Sequence, residues 1–78
     1  MSNVKVYSTS TCSYCAMAKE FLKKNNIQFE NIDVGVNREA SQKMMDLSGQ
    51  MGVPVLDIDG QIIVGFDKSA ITKALNLT

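Results

Sequence analysis

Histidine and tryptophan are absent from this 78-residue chain, proline occurs once and cysteine only twice. Each shortage removes a class of chemistry. Without histidine no Ser–His or Cys–His nucleophile pair can form, and the commonest zinc ligand is missing. Two cysteines fall short of the four ligands of a structural zinc site, and of the several bridges that staple small secreted domains. An excess of one charge is also lacking. Eight Lys+Arg offset eight Asp+Glu, where a nucleic-acid binder would carry a basic stripe. Three Phe and two Tyr are too few for a base-stacking platform. No apolar run approaches the roughly 18 residues of a membrane span. The opening Met1-Ser2-Asn3-Val4-Lys5-Val6-Tyr7 has no signal-peptide apolar core. The expectation is one cytoplasmic, monomeric domain over residues 1–78, with neither nucleic acid nor membrane as partner.

What is present has a clear order. Val4 to Tyr7 favours extended structure and runs into the hydroxyl cluster Ser8-Thr9-Ser10-Thr11, where Thr11 is the expected N-cap of a first helix from about Cys12 to Asn25. Tyr14, Ala18, Phe21 and Leu22 form its expected apolar face, and Lys23 and Lys24 suit its last turn. A second strand falls within Ile27 to Val34, anchored by Phe29 and Ile32. Asn37 can cap a second helix from about Arg38 to Ser48, with Ala40, Met44 and Leu47 as its stripe and Gly49 closing it. Val53 to Ile58 and Gln61 to Val64 read as strands joined by Asp59-Gly60, a strong hairpin signal. Asp67 can cap a last helix running through Leu77, with Ile71, Ala74 and Leu75 inward. The order is β-α-β-α-β-β-α. Two strands flanking a helix pair in parallel through a right-handed crossover, and the hairpin is antiparallel. An α/β fold follows, a four-stranded mixed sheet flanked by three helices.

Cys12 and Cys15 stand where the first strand hands over to the first helix. The first amides of a helix have no intrahelical partner, and its dipole adds about half a positive charge there. Both favour a thiolate at Cys12, and Ser10, Thr11 and Ser13 add hydroxyl donors. The i, i+3 spacing brings Cys15 to the same side one turn deeper, within disulfide reach. A bridge across so short a loop adds only about 2 kcal/mol in the entropy model, so stability is a weak reason for the pair. Redox exchange is the stronger one: Cys12 attacks a substrate disulfide and Cys15 resolves the mixed disulfide. Pro54 sits at a strand start, where a missing N–H is tolerated, and sequence alone leaves its isomer open. Met44, Met45 and Met51 are core fillers before they are soft metal ligands, so no metal site is expected.

These motifs resemble the glutaredoxin family of the thioredoxin-fold superfamily, over essentially the whole chain. Thr11-Cys12-Ser13-Tyr14-Cys15 is similar to the family's Cys-Pro-Tyr-Cys segment, and Ser48-Gly49-Gln50-Met51-Gly52-Val53-Pro54 to its Ser-Gly-x-x-Thr-Val-Pro. Asp57-Ile58-Asp59-Gly60 and Val64-Gly65-Phe66-Asp67 match its hairpin and glycine-rich turn. The resemblance implies a glutathione-linked thiol–disulfide oxidoreductase that reduces protein disulfides and glutathione mixed disulfides, with glutathione as co-substrate and no resident cofactor. It implies a cis Pro54 beside Cys12, and a glutathione groove made by Thr11, Tyr14, Val53 and Pro54 together with the turn Gly65, Phe66, Asp67 and Lys68. Tyr14 reads equally as a packing tyrosine. Several residues depart from the pattern. Ser13 replaces the usual proline, Thr9 stands where many members carry lysine, and Ser41 where some carry arginine. Phe66 replaces the turn's second glycine, which is similar to the glutaredoxin-like electron donors of ribonucleotide reductase that thioredoxin reductase recharges. Recharging by thioredoxin reductase rather than the glutathione reductase system is therefore one alternative. A [2Fe–2S] cluster carrier, formed as a glutathione-bridged dimer, is another.

Overall fold

A computed structural model describes residues 3–76. Its elements follow the expected order: β1 (Val4–Ser8), α1 (Ser13–Lys24), β2 (Glu30–Asp33), α2 (Arg38–Ser48), β3 (Val55–Ile58), β4 (Gln61–Val64) and α3 (Lys68–Ala74). The sheet runs β2-β1-β3-β4. β1 pairs with β2 in parallel, Tyr7 opposite Ile32, and with β3 antiparallel, Tyr7 opposite Val55. β3 and β4 form the antiparallel hairpin. Asp59 and Gly60 both take positive φ, 52° and 92°, as a two-residue turn of this kind requires.

Strand alternation sorts the core onto two faces. On one, Val4, Val6, Leu56, Ile58 and Ile63 meet Ala18 and Leu22 of α1 and Ile71 of α3, with Leu75 just beyond it. On the other, Tyr7 and Val55 meet Met44 of α2. Burying a large apolar side chain contributes about 1.5–3 kcal/mol, so the α1–α3 face carries most of the hydrophobic stabilisation. The second face is thinner, and Leu47, expected in its stripe, is 40% exposed. Of the expected stripe only Met44 is fully buried, in the cluster it forms with Tyr7 and Val55.

Tyr14 is a second correction. It is 62% exposed, and the inward residues of α1 are Cys15, Ala18 and Leu22. The apolar stripe begins on the second cysteine, which rotates the tyrosine outward by the helix's 100° per residue. Strand β3 starts at Val55 rather than Val53, and α3 ends at Ala74 with Leu75 as its C-cap. Leu77 lies outside the described residues. Asn37 and Asp67 cap their helices as expected, accepting the amides of Ala40 and Ala70 at 3.0 and 3.1 Å.

Candidate active site

Thr11 does not cap α1. The N-cap is Cys12, whose backbone is extended and whose sulfur accepts the Cys15 amide at 3.2 Å. A turn closed by the Cys12 amide on the Thr9 carbonyl, 3.4 Å, uses up the hydroxyl run and delays the helix by one residue. Thr11 is exposed on that turn. The consequence is chemical: the cysteine sulfur itself, not a neighbouring hydroxyl, sits at the helix opening, where an orphan amide and the dipole favour negative charge.

The two sulfurs occupy different environments. Cys12 is half-buried and Cys15 fully buried, and both are free thiols. Burial pushes the Cys15 thiol up to about 11, aided by its hydrogen bond with Cys12 and opposed by the Thr9 backbone and by Lys19. Cys15 therefore holds its proton at neutral pH while Cys12 has access to the surface.

Beside Cys12 lies the segment before β3. Its thiol donates to the Val53 carbonyl at 3.8 Å, a weak contact at sulfur distances. The Val53–Pro54 bond is cis, and Pro54 is buried. The Pro54 carbonyl accepts the Gly65 amide at 2.7 Å, which ties the turn after β4 to the same place. Gly65 takes φ 82°, a left-handed conformation that strains other residues. Segments 11–15 and 53–54 thus meet at the Cys12 sulfur, and the turn carrying Gly65, Phe66, Asp67 and Lys68 is joined to Pro54 through the Gly65 amide.

Three members of the last segment are already engaged. The Asp67 carboxylate caps α3. Lys68 places its Nζ 5.5 Å from the centre of the Phe21 ring, a cation–π distance, and Phe66 meets Phe21 edge-on at 6.0 Å. The loop leading to Val53 is braced by its own side chains. Ser48 Oγ donates to the Met44 carbonyl at 2.7 Å and accepts from Gln50. Gln50 in turn brackets Gly52, donating to its carbonyl at 3.0 Å and accepting its amide. Sequence reading missed this brace, because nothing in Ser-Gly-Gln marks side chains that bond back to their own loop. It also missed the Thr9 backbone, since a carbonyl's role has no residue-type signature.

A family model described as Glutaredoxin matches residues 4–63. The chain belongs to the glutaredoxin family. It is 47% identical over 72 residues to an uncharacterised glutaredoxin-like 8.6 kDa protein in the rubredoxin operon of Clostridium pasteurianum, covering 92% of this chain and 96% of that one. Glutaredoxin 3 of Escherichia coli K12 is 36% identical over 67 residues, 86% of this chain and 81% of its own. The glutaredoxin-like protein NrdH of Lactococcus lactis IL1403 is 31% identical over 70 residues, 90% and 96%. Among solved structures, a mutant of the thioredoxin-like protein BC3987 superposes with TM-score 0.92 at 31% identity over 100% of both chains. The fold is thioredoxin-like, and the activity class that comes with this glutaredoxin membership is thiol–disulfide oxidoreduction on disulfide substrates, supplied by a reductase system. No helix among the described residues is long and apolar enough to cross a membrane.

Proposed function

We propose that Cys12 is the attacking thiolate and Cys15 the resolving thiol of a glutathione-linked, cytoplasmic oxidoreductase acting on protein disulfides and glutathione mixed disulfides. The observation that carries this is the Cys15 amide on the Cys12 sulfur at the helix opening, next to a resolving thiol that burial keeps protonated. Cys12 attacks one substrate sulfur and expels the other as a thiolate. In the monothiol step a glutathione thiolate then attacks the Cys12–glutathione bond, giving glutathione disulfide and free Cys12. In the dithiol step Cys15 loses its proton, displaces the second substrate thiol and leaves the enzyme oxidised; two glutathiones return it to the dithiol. Substrate would lie against the Val53 backbone, flanked by Thr11, Tyr14 and Pro54, with the γ-glutamyl end toward Gly65, Phe66, Asp67 and Lys68.

Recharging by thioredoxin reductase is the second reading. The Phe66 ring in the turn and the absence of a cation at Thr9 and Ser41 favour it, as does the likeness to NrdH. A [2Fe–2S] cluster bridged between two copies by two glutathiones would ask each copy for a single surface sulfur, which among its two cysteines is Cys12.

The test is a pair of variants assayed with glutathione plus its reductase, and with thioredoxin reductase. Cys12→Ser abolishes exchange with either system. Cys15→Ser keeps glutathione-mixed-disulfide reduction and loses protein-disulfide reduction. Full activity of Cys12→Ser overturns the role assignment. The reductant that regenerates the wild-type chain decides between the two readings.

A further inference from the structure

A cavity of about 510 Å³ opens between α1 and the start of α3, lined by Ala16, Met17, Phe21 and Phe66, with Glu20, Lys24 and Lys68 at its rim. Its size falls in the range of small-ligand sites. Its lining includes none of Cys12, Cys15, Val53 and Pro54, but each of its walls is tied to that centre through the chain. Met17 is a turn and a half past Cys12 on the same helix, about 7.5 Å along its axis. Phe66 follows Gly65, whose amide is bonded to Pro54 next to the Val53 carbonyl that faces Cys12.

We propose that this groove is the side-chain subsite for polypeptide substrates, with Phe66 as the specificity-determining residue. It takes a large apolar side chain one or two positions from the substrate's cysteine, with an acidic residue beyond it. The inference rests on the exchange reading above and names the substrate that reading leaves open. Each extended residue spans about 3.3–3.6 Å, so a side chain one or two positions from a cysteine held at Cys12 reaches Met17 and Phe66. The floor offers two aromatic edges and a flexible thioether, a surface that adapts to varied apolar groups. Charge at the rim supplies the second requirement. Two lysines face one glutamate, and Lys68 is held in place over Phe21 at 5.5 Å, poised for a carboxylate. The γ-glutamyl end of glutathione, placed above at the turn itself, has no apolar bulk to fill the floor, so only a polypeptide substrate engages Met17 and Phe21 as well.

The test uses the full chain, reduced, as a stoichiometric reductant in single turnover, so that no recharging system enters. Two disulfide-linked peptide dimers are compared: one with Phe then Glu after its cysteine, the other with Ser then Glu. The wild-type chain reduces the first about tenfold faster, the discrimination an apolar pocket gives for a modest change in bulk. Phe66→Ala and Met17→Ala bring that ratio near one. The double change Lys24→Glu with Lys68→Glu favours a Phe–Lys peptide over a Phe–Glu one. Because each ratio is read within one enzyme, a general loss of folding cancels. Equal rates in the wild type overturn the proposal, as does a ratio that survives Phe66→Ala and Met17→Ala. A wild-type dimer in solution that shields the groove from both peptides also overturns it, and assigns the groove to a second copy. Cys12→Ser separates the two levels: an inert variant alongside a ratio of one removes the groove alone, whereas an active one removes the exchange reading beneath it.

Discussion

At the scale of single residues, the site depends on two sulfurs three positions apart with opposite surroundings. Cys15 is fully buried, and its thiol is pushed from 9.0 to about 11. Alkylation near pH 7.5 therefore labels Cys12 first, with Cys15 labelled on the same timescale only when the pH approaches the upper value. The same shift has a thermodynamic side. Below about pH 9 the thiol is protonated in both folded and unfolded chains. Between the ordinary value and the raised one the unfolded chain gives up its proton while the folded chain keeps it, so stability falls as pH rises through this window. The loss is about 3 kcal/mol at most. Urea midpoints from pH 8 to 11 check it, and Cys15→Ala shows a smaller decline than the wild type. Equal declines would mean that other groups account for the alkaline loss, Tyr7 among them, whose hydroxyl is also shifted upward by burial and by Asp57 and Glu30.

At the scale of elements, the connection between α2 and β3 does more than join them. Gly49, in the left-handed conformation at φ 74°, ends the helix. Ser48 and Gln50 then hold the loop in a closed set of hydrogen bonds that sets the approach to Val53. Gln50→Ala is expected to lower mixed-disulfide reduction about threefold to tenfold while changing stability by less than about 1 kcal/mol, since displacing a positioning group costs rate more than folding energy. Stopped-flow exchange and urea unfolding on the same variant check both halves. An added Cβ at Gly52 would lie 2.6 Å from Gln50 Oε1, so Gly52→Ala pushes on the same brace.

At the scale of the whole molecule, stability rests on a small core. Leu22 of α1 is fully buried against the sheet, and Leu22→Ala is expected to cost about 3 kcal/mol. In a domain of this size that lowers the melting temperature by about 15 °C, as thermal circular dichroism would show. Much of this architecture was readable in advance. The strand and helix order, the parallel and antiparallel pairings and the Asp59-Gly60 turn follow from period and turn chemistry, which are local. Errors gathered where tertiary structure decides. Thr11 has the better capping side chain, yet the Thr9 turn hands the cap to Cys12. Tyr14 fits an apolar stripe, yet the core begins on Cys15. Leu47 continues the helical apolar spacing of α2, yet of that stripe Met44 alone is buried. The groove at Phe66 was visible only as an odd residue in a turn, because its other walls come from α1, more than forty positions away in the chain. One feature of the sheet reaches furthest. With Tyr7 facing Val55 in the two middle strands, and with short tethers running from each to the thiol and to its docking carbonyl, the catalytic gap is gauged by strand register as a track is gauged by its sleepers. A change that shifted this register would therefore move the thiol and the carbonyl relative to one another without touching either.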